Sequence, residues 1–209
     1  MRRREVIGLF ASAAAGWPLG ARAQQPGKSA RIGYLVATAR DDRLARKNLD
    51  TFRQELRELG YIEGQNLVIE QRFAERDFDR LPQLAAELVR LRVDIIVASP
   101  TPAAVAAKKA TDTIPIVMLN TGDPVGLGLV ASLARPGGNV TGLSYSVGLE
   151  TFGKGLELLK EAVPNLHRVA VLSNPANPAH ALAIKNIEIA ARALRLELQL
   201  LEAPRSQRI

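Results

Sequence analysis

Cysteine is absent from the 209 residues, which excludes disulfide scaffolds, zinc–thiolate sites, iron–sulfur clusters and thiol catalysis together. The oxidising or reducing character of the compartment therefore leaves no mark on the sequence. Histidine is confined to His167 and His180, neither at metal-ligand spacing from the other or from a carboxylate pair. His167 reads as a loop residue before a strand, and His180 as a solvent-facing residue in the first turn of a helix. Aromatic residues make up only 4%, and no apolar run reaches the roughly 20 residues that a bilayer span requires. What is present is 47% hydrophobic residues, enough for a core and too many for a disordered or collagenous chain.

The charge balance is 28 Lys and Arg against 21 Asp and Glu, a formal +7. Arg2, Arg3, Arg4 and Arg22 stand in the first 23 residues against Glu5 alone, so the remainder holds 24 basic and 20 acidic residues. A residual +4 argues against a nucleic-acid partner. Residues 1–23 read instead as an export signal. Arg2-Arg3-Arg4 is the basic start, Val6 to Ala21 is an uncharged, mostly apolar run of 16 residues, and Ala21-Arg22-Ala23 offers small residues for cleavage. Arg3-Arg4-Glu5-Val6-Ile7 also resembles a twin-arginine motif, with valine where phenylalanine is usual. A buried first helix is the competing reading, and Trp17-Pro18 would break it. The expectation is a mature product beginning near Gln24, periplasmic, with no membrane insertion after cleavage, and residues 24–30 as a linker.

Beyond Arg31 two periodicities alternate. Arg31–Ala37, Asn66–Phe73, Val93–Ala98, Ile114–Leu119, Asn139–Leu143, Arg168–Leu172 and Leu196–Leu201 are short, mostly β-branched runs of strand length. Between them Leu49, Phe52, Leu56 and Leu59 repeat at helical steps, as do Leu81, Leu84, Ala85 and Leu88. Phe152, Leu156, Leu159 and Val163 form a third stripe, and Ile187, Ala190, Ala191 and Leu194 a fourth. These stripes read as core faces. Strand and helix in alternation predict an α/β fold with a parallel sheet covered by helices on both faces.

In such sheets ligands bind outside the carboxyl ends of the strands, so the segments after the strands carry the functional reading. Ser99-Pro100-Thr101-Pro102, Asn120-Thr121-Gly122-Asp123-Pro124 and Ser173-Asn174-Pro175-Ala176-Asn177-Pro178 follow three of them. Each pairs a capping residue, Thr101, Asp123 or Asn177, with proline at the first helical position. Helix amino ends there would present free N–H groups and partial positive charge to a carboxylate or other anion. Simple capping, without a ligand, is the better explanation of each taken singly, and only their recurrence on one edge of the sheet brings the ligand reading level with it.

A search for catalysis returns little. Gly142-Leu143-Ser144-Tyr145-Ser146 approaches a nucleophile elbow, but Ser146 stands where the second glycine is needed for backbone room. Gly126-Leu127-Gly128-Leu129-Val130-Ala131 matches the dinucleotide fingerprint only as a string, and helix packing explains it better because it does not open directly from a strand. Asp41-Asp42 with Arg43, Arg46 and Lys47 reads as a solvated loop and helix start. Neither an enzyme, a metal nor a cofactor is expected.

Longer motifs carry a resemblance. Arg31-Ile32-Gly33-Tyr34-Leu35, the run Phe52 to Tyr61, Gly64-Gln65-Asn66-Leu67 and, above all, Gly122-Asp123-Pro124-Val125-Gly126 through Leu133-Ala134-Arg135-Pro136-Gly137-Gly138-Asn139-Val140-Thr141-Gly142 are similar to exported substrate-binding proteins of ABC transporters. The group that includes tryptophan and other amino-acid binders is the one they resemble. The resemblance extends over residues 1 to about 203. It implies a type I periplasmic-binding-protein fold, in which two α/β lobes joined by hinge strands close on a small solute and deliver it to a permease in the inner membrane. Residues 31–148 would form the N-terminal lobe and 149–209 a partial second lobe, with the crossing near Ser146 to Glu150. The implied ligand contacts are Thr38, Ser99, Thr101, Thr121 and Asp123 in the first lobe, and Ser173 and Asn174 in the second. For an amino acid, the amides and hydroxyl at Thr101 would take the carboxylate and Asp123 the ammonium.

Family members continue well past this length with further strands of the second lobe, so the resemblance also implies a C-terminally truncated product, with a non-functional fragment of a binding protein as an alternative. Two other readings stay open: a flavodoxin-like enzyme with all seven strands in one sheet, and the receptor domain of a repressor, which would replace the export signal by a helix-turn-helix.

Overall fold

A computed structural model describes residues 29–145 and 150–203. The export-signal reading of residues 1–23 lies outside the described residues, as do positions 24–28 of the linker and 146–149 of the crossing.

All seven apolar runs form strands. In chain order they are β1 (Ala30–Val36), β2 (Leu67–Phe73), β3 (Ile95–Ser99), β4 (Ile116–Thr121), β5 (Val140–Ser144), β6 (Arg168–Ser173) and β7 (Glu197–Glu202). The helices are α1 (Arg43–Glu58), α2 (Leu81–Arg90, entered through a 3-10 turn at Phe78–Arg80), α3 (Thr101–Ala110), α4 (Glu150–Ala162) and α5 (Pro178–Ala193). β1 to β5 form one parallel sheet in the order β2-β1-β3-β4-β5, and β6 and β7 a separate parallel pair. The single seven-stranded sheet of the flavodoxin-like reading is thus ruled out by the strand order: among the described residues β6 pairs only with β7, from Arg168↔Glu197 to Ser173↔Glu202.

Alternation along the central strands sends side chains to two cores. Ile32, Tyr34 and Val36 of β1 face α1, where Leu49 is buried and Phe52 and Leu56 pack beside it. Leu35 turns to the opposite face, against Leu81, Leu84, Ala85 and Leu88 of α2 and Ala103, Ala104 and Ala107 of α3. The alanines let α3 lie close to the sheet. Arg72 of β2 ties its strand to α2 through Glu87, 2.8 Å away and partly buried.

Two local readings fail, each for a physical reason. No helix follows Asp123-Pro124. The chain makes a turn over Pro124–Gly128 and reaches β5 irregularly, with Gly126, Gly128, Pro136, Gly137 and Gly138 all disfavouring a helix. Leu129 and Val130 of this segment are buried at 5% and 6%, so the loop covers the sheet where a helix was expected. Asn139 closes its far end, donating through Nδ2 to the carbonyls of Thr111 (3.0 Å) and Ile114 (2.9 Å) and accepting from Lys108 at 3.0 Å. In the α4 stripe only Leu156 is buried; Phe152, Leu159 and Val163 are exposed because the two-stranded sheet beneath α4 and α5 offers a narrow core of Leu156, Ala191 and Leu196.

Candidate functional site

The parallel sheet brings the carboxyl ends of β1, β3 and β4 side by side, with Val36 paired to Ser99 across β1 and β3. Directly beyond these ends lies a cavity of about 160 Å³. Tyr34, Val36, Leu44, Ala45 and Pro100 give it apolar walls, and Thr38, Asp42, Asn48, Ser99 and Asn120 supply the polar groups. The Ala37 N–H donates to the Ser99 carbonyl at 3.0 Å and keeps the two loops adjacent past the sheet. Thr38 Oγ1 is buried and has no hydrogen-bond partner among the described residues. Asn120 holds φ 52°, a left-handed conformation that asparagine tolerates better than most residues, and this turns the chain at the cavity edge.

Asp42 borders the cavity but is committed to structure. Its Oδ1 accepts from the N–H groups of Leu44 and Ala45, both at 3.0 Å, as the cap of α1. The Ala45 amide, then that of Leu44 and the nearby Arg76 guanidinium, hold its carboxyl below the usual 3.8 despite an opposing effect of burial. Burial likewise pushes the Tyr34 phenol above its ordinary value.

Of the seven residues expected to bind ligand, Thr38 and Ser99 line this cavity, and the other five lie elsewhere. Thr101 is not a cap: Pro100 occupies that position, no side chain caps α3, and the Thr101 hydroxyl, 1% exposed, accepts from the Gly122 N–H at 3.0 Å. The hydroxyl therefore braces the loop after β4 from within. Thr121 is fully buried; its Oγ1 has no partner among the described residues, and its carbonyl accepts from the Ser144 hydroxyl at 2.8 Å. Asp123, at φ 34°, caps a turn instead of a helix, accepting the Gly126 N–H at 2.9 Å. Ser173 ends β6 at 6% exposure, and Asn174 Oδ1 accepts from Ala176 N–H at 3.0 Å. Asn177 does cap α5, through the Ala179 N–H at 3.1 Å. His180 stands in the first turn of α5 but is half-buried, its Nδ1 accepting the Asn174 N–H at 3.0 Å, so it positions the loop after β6 and does not face free solvent.

Asn120, Asn48 and Tyr34, which also line the cavity, were not among the residues expected to bind ligand. Asn120 had a usable signal, an asparagine at the exit of a strand; Tyr34 had none, because the same alternation serves any core residue. One further contact joins the two sheets' surroundings. The Tyr145 phenol, after β5, lies over the bare Cα of Gly122 beside Ala179 of α5. A methyl group on Gly122 would stand 2.7 Å from the phenol oxygen and 3.4 Å from the Ala179 Cβ. The near-elbow at Gly142-Leu143-Ser144 is strand and not a strand-to-helix turn, with the Ser144 hydroxyl bonded to β4. Among the described residues no cluster of three His, Cys, Asp or Glu side chains could hold a metal ion, and no helix is long and apolar enough to cross a membrane.

Residues 38–209 match the family of ABC transporter substrate binding proteins. A tyrosine-binding protein of Clostridioides difficile is 34% identical over 147 residues, 70% of this chain and 42% of its own length. A conserved domain protein of Vibrio cholerae shares 32% identity at a TM-score of 0.69, covering 84% of this chain and 58% of that one. An ABC domain of Streptococcus pneumoniae in complex with L-Trp shares 27% identity at a TM-score of 0.67, with the same coverage of 84% and 58%. The chain thus spans about half the length of the relatives it matches. Its architecture is that of the type I periplasmic binding proteins, a five-stranded parallel sheet flanked by helices and followed by a two-stranded parallel pair. This protein belongs to the ABC transporter substrate-binding protein family, a family of solute-binding proteins.

Proposed function

We propose that this chain is the solute-binding part of an ABC import system, acting outside the cytoplasm and handing a small solute to an inner-membrane permease without catalysing a reaction. The observation that carries this reading is the cavity at the carboxyl edge of the five-stranded sheet, where the buried Thr38 hydroxyl lacks a protein partner beside Ser99 and Asn120. A buried hydroxyl left unpaired costs about 1–3 kcal/mol, a cost that a bound solute repays. The cavity volume of about 160 Å³ matches a single small solute or the side chain of a larger one.

The solute class is an amino acid or a similar small carboxylate, in keeping with the tyrosine and L-Trp named for two relatives. The amino end of α3, which carries no acidic residue in its first turn and no side-chain cap, suits the carboxylate. Asp123 retains Oδ2 for an ammonium group while Oδ1 holds its turn. Residues 31–148 and 149–209 act as two lobes, the second bringing Ser173 and Asn174 to the solute by hinge closure. Thermal melts of the purified chain with a panel of free amino acids test the reading. At a hundred times the dissociation constant, one solute stabilises the fold by about 2.7 kcal/mol and raises the midpoint. A midpoint unmoved by every amino acid and small carboxylate in the panel contradicts it.

A further inference from the structure

On the sheet face opposite the cavity, α2 and α3 lie side by side and leave a groove of about 340 Å³ between them. Its floor is made of short apolar side chains, Ala86 and Val89 from α2 and Ala106 and Ala110 from α3, and Arg90 and Lys109 stand exposed at its rim. Among the described residues no carboxylate lines it. Other cations of these elements have carboxylate partners: Arg72 is paired with Glu87 of α2 at 2.8 Å, and Lys108, the immediate neighbour of Lys109, with Asp112 at 2.7 Å. Arg90 and Lys109 have neither an ion pair nor a side-chain hydrogen bond among the described residues. Their place in the last turn of each helix complements the helix dipole, but that accounts for a cation at a helix end and not for an apolar channel running between two of them.

We infer that this groove docks an acidic amphipathic helix of a partner protein. Two apolar side chains one turn apart on such a helix fill a volume of this size, since about 150 Å³ accommodates a benzene ring. Carboxylates flanking them meet Arg90 and Lys109, which otherwise face water. The groove walls are two helices fixed on the larger core, so little ordering is required on this side of the contact. Because the solute cavity opens on the α1 side, the partner and the solute bind without competing. The inference stands apart from the solute reading and survives or fails independently of it.

The test is fluorescence anisotropy of the full chain with a labelled helical peptide of about 15 residues, Leu spaced at one-turn intervals and Glu on both flanks. Saturable binding is expected, weakened at least about tenfold by Arg90→Glu combined with Lys109→Glu, and also by Ala110→Leu, which fills the floor without adding charge. Both rim positions are exposed, and circular dichroism checks that the variants remain folded. The affinity should also fall as salt shortens the Debye length towards about 3 Å. Equal binding of a peptide with Lys in place of Glu overturns the inference, as does indifference to the charge reversal. Binding to phosphatidylglycerol vesicles without binding to the peptide overturns it in favour of a lipid surface.

Discussion

Replacing Thr38 by valine separates stability from binding at the proposed site. Valine keeps the shape of threonine and exchanges the hydroxyl for a methyl group. Thr38 Oγ1 is buried and unpartnered, so the substitution removes a desolvation cost without breaking a hydrogen bond. The expected gain is about 1 kcal/mol in unfolding free energy, seen as a midpoint raised by roughly 2–4 °C for a chain of this size. If the same hydroxyl serves the solute, binding loses about 1 kcal/mol, roughly a fivefold rise in Kd. Thr121→Val is the internal control. Its Oγ1 is equally unpartnered, but the residue is fully buried and does not line the cavity. It should stabilise without weakening binding. Urea unfolding with a fixed slope reports the first effect and calorimetric titration the second. Loss of stability in Thr38→Val would refute the unpartnered hydroxyl, and unchanged affinity would refute its role as a contact.

Gly142→Ala should destabilise by about 3 kcal/mol or more, measured by urea unfolding, because φ is 136° and a Cβ there would run into the Met118 carbonyl of the neighbouring strand. Asn139→Ala removes two donated hydrogen bonds and the acceptor of Lys108, and a loss of about 2–3 kcal/mol is expected in the same assay. Asp42→Ala should cost about 1 kcal/mol through loss of the α1 cap. The folded carboxyl titrates below 3.8, so its contribution is complete above the unfolded value and disappears as pH falls through the folded one. Asp42→Asn keeps a capping oxygen and should flatten the stability profile in that acid window, as read from melts at stepped pH.

The strands and helices were legible because each depends on a few neighbours in sequence: Ile32, Tyr34 and Val36 alternate with Leu35, and the α2 leucines repeat at helical steps. What was not legible depends on partners distant in the chain. The pairing of β6 with β7 alone, and the exposure of Phe152 that follows from so narrow a sheet, are decided by strand order and not by periodicity. Thr101 has the composition of a helix cap, yet its hydroxyl serves Gly122, 21 residues away. Proline after Asp123 suggested a helix start, but the glycines that follow favour a turn, and helix propensity in that window outweighs the capping signal. At the site, the polar loops after the strands pointed to the edge of the sheet where the cavity lies. Which side chains share the cavity was decided by the left-handed turn at Asn120 and by the approach of α1 to the β1 end.

The most direct test of solute binding at this edge is residue-resolved amide chemical-shift mapping as the stabilising amino acid is titrated into the labelled chain. The account predicts saturable shifts concentrated in the loops after β1, β3 and β4, at Thr38, Ser99 and Asn120 above all, with α2 and α3 unmoved along their outer groove. Shifts confined to another surface, or an unchanged spectrum with every amino acid and small carboxylate offered, would contradict it.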